Sequence, residues 1–367
     1  MKKIKLSSIT LAIAAPFAAA LVSIVISSLA VLASHKSPFD AYKTMWDYGT
    51  TSGSLMQMLN TATPYYIAAV AIAITFRAGL FNIGVEGQLR LGAIFGAYLG
   101  AKFILPPVLH IIAIMIIAMT IGGLWAAIAG YLKVKRGVSE VISTIMLNSL
   151  AVGMTSFLFS QYFAEITEGS NNLTTKVLPP SAHIPDLMPL LNKLGVEDQP
   201  GGGVYGMLLI AIALGIAFWF IVNRTRFGFE LRASGANPIA ARVSGVNSKK
   251  MTFIALVTSG AIAGLSGLPT ILGDTHSYTM GFRSGIGFSA IAVALLGRNG
   301  AVGMAFSALL FGFLEVSSRA LELIDIAPET YVIMQGSILL SSVIAYEVVR
   351  RYRITLQSKE LAKVVAA

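Results

Sequence analysis

Long apolar runs separated by short polar breaks dominate the chain, and they predict helices over residues 9–33, 62–80, 89–103, 109–132, 138–162, 204–222, 251–272, 286–296, 301–316 and 331–349. A helix rises about 1.5 Å per residue, so ~20 apolar residues cross a hydrocarbon layer of ~30 Å. Runs 89–103 and 286–296 fall short of that length. Neighbouring irregular backbone must complete those two crossings. In lipid every backbone N–H and C=O needs a partner, which leaves helices or closed barrels. The alternation of a barrel strand is absent, so helices are expected. The predicted fold class is an all-α integral membrane protein with about ten transmembrane helices.

Each short run follows a polar or glycine-rich break. Phe81-Asn-Ile-Gly-Val-Glu-Gly-Gln88 precedes the first and Gly281-Phe-Arg-Ser-Gly-Ile-Gly287 the second. The two pairs stand an odd number of helices apart, so matching halves would cross the membrane in opposite senses. Two inverted-topology halves with interrupted helices place a substrate path between them. The alternative is that two such breaks arose independently. Residues 1–60 are read as a first transmembrane helix and outer loop, 61–349 as the transmembrane domain, and 350–367 as a basic tail. Within the domain, 163–203 holds Pro179, Pro180, Pro185, Pro189 and Gly201-Gly202-Gly203 and reads as an exposed outer excursion. Segment 223–250 is the longest inside loop.

Composition sharpens this picture. Hydrophobic residues make up 55% and charged residues 12%, where a soluble chain carries about 25% charge; the mean hydropathy is +0.75. A soluble enzyme is excluded. The net charge of +10 would suggest nucleic acid as a partner, but position argues otherwise. With both termini cytoplasmic, most Lys and Arg fall inside, including Lys2, Lys3, Lys5, Lys133, Lys135, Arg136, Arg224, Arg226, Arg242, Lys249 and Lys250, while most acids fall outside. This is the positive-inside bias of a cell-membrane protein. The first apolar run exceeds the ~7–15 residues of a signal peptide, so an uncleaved first helix is expected.

Candidate chemistry is sparse. The chain has no cysteine, which removes disulfides, thiolate metal sites and cysteine nucleophiles. It lacks G-x-x-x-x-G-K-[ST], H-E-x-x-H and G-x-S-x-G, so no catalytic residue, metal ligand or cofactor is predicted. Helix centres hold almost no ionisable residue, which argues for an uncharged solute and against ion coupling. The most informative stretch is Phe81–Gln88. Asn82 and Gln88 are neutral hydrogen-bonding groups at a break that survives at membrane depth only if packed or lining a cavity. Glu86 is either part of that lining or a partner for Arg90 four residues on. Phe76, Phe81, Phe282 and Phe288 are candidate aromatic faces, with packing as their commoner use. Gly92, Gly96, Gly100, Gly260 and Gly264, spaced by four, read as close helix packing. Inside, Asn237 suits an N-cap, Pro238 a first helical position and Gly245 a C-terminal turn. A helix this short needs something to dock on, a partner protein or the membrane surface.

Four stretches carry a family resemblance: Phe81–Gln88, Arg226-Phe-Gly through Ser244-Gly-Val246, Gly287-Phe-Ser-Ala-Ile-Ala-Val-Ala-Leu-Leu-Gly297, and Arg136-Gly-Val-Ser-Glu-Val-Ile-Ser-Thr-Ile-Met-Leu-Asn148. The chain resembles permease subunits of ATP-binding-cassette importers for simple sugars, branched-chain amino acids and nucleosides, and the last stretch is similar to the nucleoside branch. The resemblance implies a translocation path flanked by Phe81, Asn82, Glu86, Gln88 and Phe288. It implies that Asn237, Pro238, Ala240, Ala241 and Arg242 form a coupling helix docked on a separate ATPase. Ser289 stands where many relatives carry an aspartate. The implied partners are the ATPase, a second homologous permease in a heterodimer, an extracytoplasmic substrate-binding lipoprotein and the lipid bilayer. A permease for ribose or another small neutral solute is the alternative. A stand-alone secondary transporter is the alternative from another class.

Overall fold

The structure, a computed structural model, describes residues 20–166, 173–193, 195, 197 and 202–365. The first part of the predicted 9–33 helix, with Lys2, Lys3 and Lys5, and loop position Gly201 lie outside those residues. The helices run in order α1 (Ala20–Ala33), α2 (Pro38–Gly49), α3 (Ser52–Arg77), α4 (Val85–Gly100), α5 (Pro107–Tyr131) and α6 (Glu140–Leu158). A short hairpin, β1 (Ala164–Ile166) and β2 (Leu173–Thr175), precedes α7 (Met188–Asn192), α8 (Met207–Arg224), α9 (Arg226–Ala236) and α10 (Pro238–Val243). Then come α11 (Ser248–Leu265), α12 (Leu268–Thr270), α13 (Ile286–Leu296), α14 (Ala301–Ser318) and α15 (Thr330–Val365).

Six helical stretches are long and apolar enough to cross a membrane: Ser52–Arg77, Pro107–Arg136, Glu140–Phe163, Met207–Arg224, Ser248–Thr275 and Ala301–Ile324. A seventh arises if α1 and α2, bent by 109°, count as one broken span. The protein is thus a mostly helical, multi-pass membrane protein. The short apolar helices α13 and Thr330–Ala345 remain below that length, as the 286–296 pattern predicted for α13. Among the described residues β1 and β2 form one antiparallel pair, with Glu165 opposite Thr174.

The chain divides into two compact units, Met1–Thr51 with Leu314–Ala367, and Ser52–Phe313. In the first, Val31, Ala41, Met45, Leu321, Ile326 and Met334 form the core. Helix α2 was not predicted. Its start is nonetheless local chemistry: Ser37 accepts from the N–H of Asp40 at 3.3 Å and Pro38 occupies the first turn. The helical backbone of α15 continues to Val365, through most of residues 350–367.

In the second unit α3 is the central helix, with Ile67 through Ala73 fully buried. It begins at Ser52 rather than residue 62. The early turns are polar, yet Asn60 is satisfied: it donates to the carbonyl of Gly203 at 2.8 Å and accepts from the N–H of Tyr205 at 2.9 Å. Glycine packing joins α4, α5 and α11. A Cβ on Gly92 would stand 2.7 Å from Cα of Gly264, and one on Gly122 would collide with the carbonyl of Gly260. Small residues therefore let these backbones touch. The segment 173–206 is less exposed than its prolines suggested. Leu178 and Ala182 are buried, and the N–H groups of Leu178 and Ile184 donate to the carbonyls of His276 and Leu272.

Candidate functional site

Helix α3 ends where Gly79 takes φ +69°, close against the backbone of Gly235. The following turn is closed by side chains. Asn82 is almost fully buried, and all four of its hydrogen-bonding positions are used. Its Nδ2 donates to Gln88 Oε1 at 3.0 Å and to Ser259 Oγ on α11 at 2.9 Å. Its Oδ1 accepts from the N–H of Gly84 at 3.0 Å and from Gln88 Nε2 at 3.2 Å. Asn148 on α6 braces the same turn, donating to the carbonyl of Ile83 at 2.6 Å and accepting from the N–H of Gly87 at 2.8 Å. Burying polar groups is tolerable only with such pairing. The break is thus held by α4, α6 and α11 together.

Glu86 makes a longer-range link. Its Oε1 accepts from Arg90 Nε at 3.1 Å and from the N–H of Gly285 at 3.0 Å, and its Oε2 accepts from the N–H of Gly287 at 2.8 Å. The carboxylate therefore caps α13, supplying the acceptor that the unpaired N–H groups of a helix start require. Gly285 has φ +86°, and a Cβ on Gly287 would press on the Glu86 backbone. Glycine is needed at both positions. The pairing of Glu86 with Arg90 read from spacing is present, and the caps on α13 are an addition only the tertiary fold supplies.

The segment between α12 and α13 carries an aromatic chain. Tyr278 stacks on Phe282 with ring centres 4.8 Å apart, and Phe159 meets Tyr278 at 5.8 Å. Burial raises the Tyr278 hydroxyl above the usual tyrosine range. Arg283 lies over the ring of Tyr65 at 4.8 Å, and Tyr65 in turn meets Phe311 edge-on. Sequence reasoning missed Tyr65, Tyr278 and Ser259, which carry no motif and acquire meaning only by contact. Phe81 and Phe288 differ from their polar companions. They are 40% and 53% exposed, whereas Asn82, Glu86 and Gln88 are buried. Phe81 leans on Phe76 at 4.6 Å.

The predicted inside helix forms as α10. Asn237 Oδ1 accepts from the N–H groups of Ile239 and Ala240, both at 3.0 Å, and Pro238 follows the cap. Gly245 turns the chain at φ +82°. The helix rests on its own chain, not on a partner alone: Ala241 is buried against Val246 and Met251, with Phe227, Ala233 and Ile254 around them. Ala241, placed by the resemblance on a helix docked to the ATPase, is turned toward its own chain and offers no surface to a partner. Its face is inward because residues 246–251 fold back over it. Ala240 and Arg242 are exposed, and so are the apolar Ile239 and Val243, at 76% and 86%.

Residues 54–343 match the family described as branched-chain amino acid transport system / permease component. A glucose ABC transporter permease protein of Haloferax volcanii is 32% identical over 94% of this chain and 90% of its own length. The guanosine ABC transporter permease protein NupP of Bacillus subtilis is 34% identical, covering 83% of this chain and 84% of that one. The nucleoside ABC transporter permease protein NupB of Lactococcus lactis is 30% identical over 88% of both.

Proposed function

The chain belongs to the branched-chain amino acid transport system permease family, and from that premise we propose that it carries nucleosides across the cell membrane as one subunit of an ATP-driven importer. It is a permease and not an enzyme; the family implies a separate ATPase and a binding protein as partners. The observation that carries the nucleoside reading is the likeness to guanosine and nucleoside permeases across more than four-fifths of the chain. The glucose permease of Haloferax volcanii favours a second reading, a simple sugar. Both solutes are neutral polyols, and both suit a chain whose buried acid Glu86 is already paired with Arg90.

In this reading Asn82, Gln88 and Glu86 flank the path by holding its walls rather than by touching solute. The exposed rings of Phe81 and Phe288 offer flat faces to a base. Ten spans in two inverted halves, with both termini cytoplasmic, suit the basic residues at Arg224, Arg226 and Lys249. Residues 61–349 would be the permease domain, with 223–250 as its coupling loop and Asn237, Pro238, Ala240 and Arg242 at the ATPase contact. Two guanosine ABC transporter permease proteins of Bacillus subtilis, NupP and NupQ, are both similar to this chain, which favours a heterodimer. ATP-driven closure of the ATPase pair would move α10, and the two halves would rock about the capped break of α13. The test is uptake of labelled guanosine, ribose and glucose by the reconstituted complex. ATP-dependent guanosine uptake supports the proposal. Glucose uptake alone favours the sugar reading, and uptake driven by an ion gradient with the ATPase inactivated overturns both.

A further inference from the structure

Helices α3, α8 and α14 enclose a groove of about 640 Å³ on the unit Ser52–Phe313. Ile212, Ile216, Trp219, Ala305 and Phe306 contribute to its walls. No charged side chain lines it; the Thr63 hydroxyl there is spent on the carbonyl of Leu59 at 2.8 Å, and the one phenol, Tyr66, lies against Gly215 of α8. A nucleoside or sugar in this groove would find only the Tyr66 phenol and the Trp219 indole to bond with, and each hydroxyl left over would cost about 1–3 kcal/mol. Water is a poor occupant for the same reason. An alkyl chain is the chemistry that suits it.

Two further observations specify which alkyl chain. Along α8 the wall runs from Leu208 to Trp219, about 16 Å at 1.5 Å per residue. That is close to the depth of one leaflet, half of a ~30 Å hydrocarbon core. At the Trp219 end a cation waits: the Arg224 guanidinium lies over the Trp219 ring, 5.6 Å from its centre. Arg224 is exposed, and the nearby acid Glu230 is taken by Arg226 at 2.8 Å. The start of α14, at Ala301 and Val302, lines the same groove and adds the positive end of a helix. Tryptophan and arginine at that level are the usual anchors at a headgroup boundary.

We propose that this groove holds one acyl chain of an anionic phospholipid whose phosphate is met by Arg224. The bound lipid would seal the seam between α3, α8 and α14, so that its loss loosens that seam. This is separate from the transported solute and does not depend on its identity.

The test uses the full-length permease in its complex, exchanged with dioleoyl phosphatidylglycerol or dioleoyl phosphatidylcholine and read by native mass spectrometry. The parent should keep one phosphatidylglycerol through detergent exchange. Ala305→Trp, which fills the groove, should lose it while eluting as an intact complex, and the milder Ala305→Leu should lower occupancy if the larger change misfolds. Arg224→Gln should retain lipid but lose about fivefold of its preference for the anionic headgroup, the worth of one basic residue near a charged surface. No lipid on the parent, full occupancy in both Ala305 variants, or an unchanged headgroup preference in Arg224→Gln would overturn the proposal. So would photo-cross-linking of a benzophenone maleimide attached at Ile212→Cys to a second permease, since protein and not lipid would then cover the groove.

Discussion

The N–H of Gly287 donates to the carboxylate of Glu86 at 2.8 Å, across 201 residues of sequence. One buried acid on α4 thus fixes where α13 begins, and any movement of α13 against α4 has to break or carry this bond. Hydrogen bonds to charged groups contribute about 1.5–3 kcal/mol. Glu86→Gln replaces one acceptor oxygen with a donor and should lower the melting temperature of the purified permease, with a loss of about 1–3 kcal/mol. Gly287→Ala should do the same through steric conflict with the Glu86 backbone. Melting curves that overlay the parent for both variants would remove the link from the stability of the protein.

Asn82 offers a sharper distinction between holding and touching. Asn82→Leu strips partners from Gln88, Ser259 and the N–H of Gly84 at once. Each orphaned buried group costs about 1–3 kcal/mol. Transport and thermal stability should fall together. If transport disappears while the melting temperature holds, Asn82 contacts solute and the framing role is wrong.

On α10 the outward apolar residues should matter for the ATPase, and the inward one for the fold. Ile239→Asp and Val243→Asp should abolish co-purification of the ATPase and leave the melting temperature of the permease near that of the parent. Ala241→Trp should instead lower that temperature by crowding Val246 and Met251. Retention of the ATPase by both aspartate variants would argue against docking here.

His183 and His276 stack with ring centres 3.5 Å apart and planes 7° apart. Burial first, and the neighbouring His183 second, lower the His276 pKa, against a smaller opposing pull from Asp274. The unfolded chain therefore takes up this proton at a higher pH than the folded chain. Stability contributed by the neutral ring is present above about pH 6.5 and is lost as pH falls from there toward the depressed folded value. A melting series from pH 8 to pH 5 should show that decline, and His276→Gln should flatten it. An identical slope in the variant would assign the effect to another group.

The chain has no native cysteine, so topology can be read directly. Cysteines replacing the exposed Lys176 and Lys250 should react with an impermeant maleimide from opposite faces of sealed vesicles. Reaction of both from one face would overturn the inside and outside assignments made from charge.

What the sequence determined by itself was local or periodic in origin. Apolar run length predicted most of the membrane helices, because the bilayer demands a minimum apolar length and leaves no unpaired backbone. The cap of α10 was legible at Asn237 and Pro238 because capping is settled within three or four residues. Glycines at intervals of four announced that α4 and α11 pack closely, though not that Gly92 meets Gly264. The tertiary structure decided the rest. Helix α2 sits in a stretch of mixed polarity, and the early turns of α3 owe their place to Asn60 bonding with the distant Gly203 and Tyr205. Ala241 looked available to a partner until Val246 and Met251 covered it. The break at Phe81–Gln88 looked like a lining. Its buried saturation by Ser259 and Asn148, and the reach of Glu86 to Gly285 and Gly287, depend on residues about 60 to 200 positions away. No spacing rule spans that distance, because hydrogen-bond partners across a fold are chosen by packing and not by sequence separation.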